Sequence, residues 1–255
     1  MVTTKPTYTG KLISIKNDAK TIKGQELNIL TGVQYFAPHT QSGIANVCAY
    51  ASDGCAMSCL FTAGRGKFSS VRQARINRTI FLQRNRSEYW QKLIKEIQAL
   101  IRKAQRENLT PAIRLNGTSD IVWERTPVTI DGVKIANNIM ELFATVQFYD
   151  YTKYPYAKRA LLPSNYDLTF SRSETNQFDV LDNLSKNRRV AVVFDTKKGQ
   201  QLPATYLDYP IIDGDLTDVR FYDDAPVIVG LRAKGDAKAD SLGFVVKTRS
   251  IFYSH

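Results

Sequence analysis

Residues 87–117 read SEYWQKLIKEIQALIRKAQRENLTPAIRLNG, and this stretch decides the fold class. Trp90, Leu93, Ile94, Ile97, Leu100 and Ile101 recur at three- and four-residue spacing, which lays one apolar stripe along a helix. Ser87 can cap that helix, and it runs to about Arg106. Pro111 then opens the short apolar segment AIRLNG, whose length and composition suit a buried strand. A helix leading into a buried strand is the unit from which α/β sheets are built.

The same alternation extends in both directions. Upstream, residues 27–36 form an apolar run rich in β-formers that ends before Pro38; loop follows to Gly66, and Ser69 or Ser70 can cap a helix over about 71–83. Downstream, strand-like segments recur as LFATVQFY (142–149), YDLTFS (166–171), RVAVVF (189–194) and PVIVGL (226–231). Between them lie the helical intervals IANNIMEL, YPYAKRALL and ETNQFDVLDNLSK, the last with Ser173 as a plausible cap. Parallel strands require a crossover, so strands alternating with helices predict a parallel sheet. The expected architecture is a single parallel (β/α)6-type barrel, open or incomplete, over residues 27–255. Residues 1–26 form an N-terminal extension, and about 199–224 a loop-rich insertion.

Composition fits a soluble globular enzyme: 255 residues, 43% apolar and 23% charged. No apolar run approaches the roughly 20 residues needed to cross a bilayer, and the N-terminal segment lacks the apolar core of a signal peptide, which predicts a cytoplasmic protein with no membrane partner. A net charge of +11 and a pI near 9.5 favour phosphate-bearing partners, nucleic acid or nucleotides. Basic residues crowd the stretch from Lys67 to Arg106, where a binding surface and a merely solvated helix face are both consistent with the pattern. The aromatic run FYDYTKYPY (148–156) could stack nucleotides or pack at a strand end. Trp123 and Glu124 read as a packed aromatic and a solvated carboxylate. Gly64, Arg65 and Gly66 form a weak candidate phosphate cradle.

The three cysteines, Cys48, Cys55 and Cys59, occupy one loop with six and three intervening residues. In a reducing compartment an odd number of thiols so close together points to metal binding or catalysis rather than disulfides. Three thiolates can hold an iron–sulfur cluster with one position open; zinc with His39 as fourth ligand is the alternative. No Ser-His-Asp or Cys-His hydrolase can be assembled from the two histidines, His39 and His255, and no Walker or dinucleotide fingerprint occurs.

Each strand candidate is followed by polar residues: Asn116, Thr118, Ser119 and Asp120; Asp150 and Lys153; Ser171, Arg172 and Ser173; Asp195 and Lys197; Arg232 and Lys234. In a parallel sheet these gather at the carboxyl ends of the strands, the edge at which such folds place their sites. The cysteine loop, following the first strand, belongs to the same edge.

A three-cysteine loop after the first strand of a six-stranded α/β barrel resembles the radical S-adenosylmethionine superfamily. That resemblance implies a [4Fe–4S] cluster on Cys48, Cys55 and Cys59, with S-adenosylmethionine at its open iron. It also implies cofactor contacts from Asn116, Gly117, Thr118, Ser119 and Asp120 after the second strand, from Ser171 and Arg172 after the fourth, and from Asp195 after the fifth. The spacing of six and three residues departs from the superfamily's three and two. The stretch from Cys55 to Arg78, which with the preceding glycine begins GCAMSCLFTAGRGKFSSVRQAR, is similar to a group of uncharacterised phage proteins, as is RLNGTSDIVWE (114–124). This second likeness implies a host-cytoplasmic phage protein. The expected function is a radical-generating iron–sulfur enzyme acting on a nucleic acid or nucleotide. The alternative is a non-catalytic nucleic-acid-binding or host-interaction protein whose cysteine loop is a zinc site or metal-free.

Overall fold

The apolar stripe of residues 87–106 needs a surface to cover, and in the computed structural model it lies on one face of a sheet. The structure describes residues 8–15, 22–159 and 161–251. In chain order the elements are β1 (Ile13–Ile15), β2 (Ile29–Gln34), α1 (Asp53–Met57), α2 (Ser69–Arg84), α3 (Arg86–Arg106) and β3 (Thr110–Arg114). There follow β4 (Val128–Ile130), β5 (Val133–Ala136), α4 (Ile139–Leu142), β6 (Gln147–Thr152), β7 (Tyr166–Ser171), α5 (Gln177–Ser185) and β8 (Arg189–Phe194). The chain continues with β9 (Thr205–Tyr206), β10 (Tyr209–Asp213), β11 (Val227–Arg232) and α6 (Thr248–Ile251).

The strand order is β1-β2-β3-β6-β7-β8-β11-β10-β9, with β4 and β5 forming a separate antiparallel pair. The six strand segments anticipated from sequence are the six consecutive strands from β2 to β11, and they pair in parallel. The barrel expectation is nevertheless overturned. The sheet is open and mixed, because antiparallel β1 borders β2 at one edge, while β10 and antiparallel β9 extend it beyond β11 at the other. The helical repeat fails as well. The β3–β6 crossover is the β4–β5 hairpin and the short α4, and the β6–β7 crossover holds a single 3-10 turn, Tyr156–Lys158, in place of the helix expected over 154–162.

Alternation along the strands explains the two faces. Ile113, Leu115, Phe148 and Leu168 join Tyr89, Trp90, Leu93, Ile97 and Leu100 of α3 in the main core. Trp123 is buried there too, stacked on Tyr89 with centroids 6.4 Å apart. Glu124, read from sequence as solvated, is buried and paired with the equally buried Arg159 at 2.6 Å.

The opposite face combines a small apolar cluster, Ile29, Ala112, Tyr149 and Val219, with charged pairs. Arg114 pairs with Asp218 at 2.6 Å and sits 4.7 Å from the centre of the Tyr151 ring; Arg220 pairs with Asp223 at 3.0 Å, and Arg189 with Asp167. Asp218, Arg220 and Asp223 come from within or just beside the 199–224 insertion, which therefore supplies both strands β9 and β10 and a charged cover for this face. Of the N-terminal extension, residues 8–15 and 22–26 are described, and Leu12 and Ile13 are buried in the main core; residues 1–7 and 16–21, like His255, lie outside the described residues. Among the described residues no helix is long and apolar enough to cross a membrane.

Because Leu93 is fully buried at the α3–sheet contact, Leu93→Ala should cost about 2–5 kcal/mol of stability in urea denaturation followed by tryptophan fluorescence. Val133→Ala, on the exposed β4–β5 hairpin at 62% exposure, should stay within about 0.5 kcal/mol of the parent. Equal effects would contradict the assignment of the core.

Candidate metal centre

The loop that carries the cysteines leaves the carboxyl end of β2 and is tied, one contact at a time, to loops that leave the neighbouring strands. At the β3 end, Gly117 donates its N–H to Gln34 O at 2.9 Å, Thr118 Oγ1 donates to Phe36 O at 2.6 Å, and Asp120 N donates to Val47 O at 2.8 Å. A Cβ on Gly117 would stand 2.6 Å from Gln34 O, so this approach requires glycine. The Cys48 thiol lies 3.9 Å from the Thr118 carbonyl and accepts the N–H of His39 at 3.3 Å.

Cys55 sits in α1. Ser52 caps this helix by accepting the Cys55 N–H at 3.2 Å. The loop after β7 completes the cap: Glu174 accepts Ser52 Oγ–H at 2.8 Å and Gly54 N–H at 2.7 Å. A Cβ on Gly54 would fall 2.7 Å from that carboxylate. Beyond Cys59, Thr62 Oγ1 accepts the N–H of Asp236, so the loop after β11 closes the far side. Cys55 also packs against the apolar group of Ala237, Phe244 and Val245. All three cysteines are half-buried and free of disulfides.

Burial and the neighbouring thiols act on Cys48 and Cys59 in the same direction. Burial pushes Cys48 up to about 12, opposed by the His39 N–H and reinforced by Cys59, Asp120 and Cys55. Burial likewise raises Cys59; the Phe61 N–H opposes it, Cys55 adds to it, and the cations Lys153 and Arg75 oppose it. Burial lowers Lys153, just past β6, but Cys55, Asp120 and Cys59 outweigh this and raise it. Arg75 of α2 lies 5.3 Å from the centre of the Tyr35 ring, and its Nη1 is buried without a hydrogen-bond partner.

These features decide what the thiols fit. Among the described residues, no three His, Cys, Asp or Glu side chains are grouped closely enough to hold a single metal ion. Thiolates on one zinc, at about 2.3 Å each, stand about 3.8 Å apart; thiolates on separate irons of a cluster are spaced more widely. The His39 ring contacts Thr40 Oγ1 at 3.1 Å. Three thiols confined to one loop, with Lys153 and Arg75 among the charges that act on them, are a donor set that an anionic cluster would need, whereas no zinc-sized group of ligands forms among the described residues.

The remaining residues singled out from sequence are gathered at this edge, but their side chains hold loops. Asn116 Oδ1 accepts from Ser119 Oγ at 2.7 Å, Ile121 N at 3.0 Å and Trp123 Nε1 at 3.1 Å. Asp120 accepts from Thr152 Oγ1, Lys153 N and Tyr154 N. Arg172 Nη1 donates to the carbonyls of Gly243 and Phe244, Asp195 accepts both Thr248 donors, and the Ser171 carbonyl accepts from Asn176. Glu174 carried no sequence signal, since its partners lie 120 and 122 residues away. Lys153 and Arg75 were visible as cations, without any sign that they face the thiols.

Fold and site together define an open, mainly parallel α/β protein with a three-thiol centre at the carboxyl edge of its sheet. The chain belongs to the Gene product 88 family, whose model matches residues 11–248. The membership fits the likeness of its cysteine and NGTSD segments to phage proteins. No curated protein and no solved structure matches the chain.

Glu174→Ala should free the first turn of α1. Loss of charge-assisted hydrogen bonds worth about 1.5–3 kcal/mol each should speed alkylation of Cys55 by iodoacetamide in the metal-free protein by roughly tenfold or more, read by peptide mass spectrometry. An unchanged rate would contradict the clamp.

Proposed function

We propose that the protein is an iron–sulfur enzyme of radical S-adenosylmethionine type that modifies a phosphate-bearing substrate, a nucleic acid or nucleotide. The observation that carries this reading is the confinement of Cys48, Cys55 and Cys59 to one loop at the carboxyl edge of the sheet, with Lys153 and Arg75 among the charges that act on them. The three thiolates would hold the cluster. When bound, it supplies an open iron for the amine and carboxylate of S-adenosylmethionine and one electron to break its sulfur–carbon bond, giving methionine and a radical that takes hydrogen from substrate.

The chain's own residues have definable tasks around it. Lys153 and Arg75 would offset the negative charge of a thiolate-bound centre, and the His39 N–H, which donates to Cys48 Sγ at 3.3 Å, would stabilise that thiolate. Asp120 fixes Lys153 by accepting its backbone N–H at 2.8 Å. Cys48 and Cys59, both raised by burial, favour the protonated form when metal-free, so loading releases protons and is favoured as pH rises. The net charge of +11 supports the substrate class.

Protein purified without oxygen and reconstituted with iron and sulfide should be brown, and Cys55→Ala should remove most of its iron. Reduced, loaded protein given S-adenosylmethionine should yield 5′-deoxyadenosine by mass spectrometry. A colourless protein carrying stoichiometric zinc would overturn the reading in favour of a zinc site using His39. Loaded protein that neither binds nor cleaves S-adenosylmethionine would leave a binding protein without this catalysis.

A further inference from the structure

The chain between the last cysteine and the body of α2 has a character unlike the rest of the surface. From Gly54 to Ser87 it contains Arg65, Lys67, Arg72, Arg75, Arg78, Arg84 and Arg86 and no Asp or Glu. Arg78 is consumed internally, donating to the carbonyls of Lys11 and Tyr35. Arg65, Lys67 and Arg72 are exposed, and among the described residues none of the three forms an ion pair. Between them Phe68 is 60% exposed, although an aromatic ring in water forgoes the burial that ordinarily stabilises it.

This arm is stiff and close to the thiols. Thr62 N donates to Cys59 O, Gly66 N to Ala63 O, Phe68 N to Arg65 O, and Arg72 N to Phe68 O, so short turns follow one another from the last cysteine into α2. A Cβ on Gly66 would stand 2.3 Å from Phe61 O, which folds the arm tightly onto its own base. The Arg72 guanidinium is held 5.3 Å from the centre of the Phe61 ring. The ring of Phe68 is thus presented to solvent by a fixed backbone, with a cation on each side.

We infer that the Gly64–Arg72 arm is a docking surface for single-stranded nucleic acid, with Phe68 stacking on a base and Arg65, Lys67 and Arg72 contacting phosphates. The inference rests on the reading of the substrate as phosphate-bearing and names its form as a polynucleotide. Charge selects this occupant. Exposed cations distributed along an arm match a backbone with a phosphate at every residue, and an exposed aromatic between them matches an unpaired base. An anionic membrane surface is the weaker fit, since the outer positions of α2 beyond the arm are polar, Gln73 and Asn77 among them, and supply no apolar face to embed.

The test is fluorescence anisotropy of a labelled single-stranded oligodeoxynucleotide of about a dozen nucleotides, titrated with the full-length protein over a range of salt. Binding should weaken steeply with salt, Phe68→Ala should lower affinity roughly tenfold, and Arg65→Ala/Lys67→Ala should reduce the slope of log K against log salt by about 1.4. Both variants change exposed residues, and circular dichroism checks that they fold. Wild-type affinity in Phe68→Ala, an unchanged salt slope in the double variant, or binding to phosphatidylserine vesicles but not to the oligonucleotide overturns the inference. Iron content, measured on the same preparations, keeps the two readings apart. Oligonucleotide binding without a cluster supports this surface and removes the cluster; a cluster without oligonucleotide binding does the reverse.

Discussion

The cysteine loop has little core of its own, and its shape depends on one carboxylate. Glu174, at the end of β7, accepts a hydroxyl and an amide from the first turn of α1 at 2.8 and 2.7 Å. Five residues of helix are far below the length that is stable alone in water. Two charge-assisted hydrogen bonds from a distant strand end therefore decide whether Cys55 has a fixed position. Asp120 acts similarly at the β6 end, where it gathers the amides of Lys153 and Tyr154. The parallel sheet matters because it brings these strand ends to one edge.

The electrostatic design follows from that geometry. Three thiols near one another, two of them pushed up by burial and by their neighbours, form a site that resists ionisation while metal-free. Burial disfavours the Arg75 charge, and Arg75 keeps a buried N–H without a partner, whereas the Lys153 charge is favoured by Cys55, Asp120 and Cys59. A centre that carries negative charge would ionise the thiols and give Arg75 an acceptor. The charged face across the sheet, with Arg114–Asp218 and Arg220–Asp223, also keeps buried polar atoms without hydrogen-bond partners, Arg114 Nε, Arg189 Nε and the Tyr151 hydroxyl among them.

The strands of the parallel core were legible because each is a short β-branched or aromatic run bounded by polar residues, and α3 was legible from its apolar stripe. The open, mixed character of the sheet was not. Its edges come from three-residue β1, within a segment that read as an extension, and from β9 and β10, within one that read as loop; neither is long enough to display a period. Between β6 and β7 the described residues hold the 3-10 turn Tyr156–Lys158, and Arg159 pairs with the buried Glu124. At the site, cysteine count and confinement were readable directly. Asn116, Arg172 and Asp195 looked available because polar residues at strand ends can serve ligands; Asn116 Oδ1, Arg172 Nη1 and Asp195 Oδ1 are taken up by neighbouring loops, while Arg172 Nε stays buried without a partner. Glu174 could not be found, because a pairing across 120 residues leaves no local pattern.

The central claim is that the three thiolates share one iron–sulfur cluster. Crystals grown without oxygen and measured on both sides of the iron absorption edge address it most directly. An anomalous peak at the iron edge, lying between the Sγ atoms of Cys48, Cys55 and Cys59 and facing Lys153 and Arg75, is the predicted result. A peak at the zinc edge alone, with the His39 ring turned into the site, would contradict it.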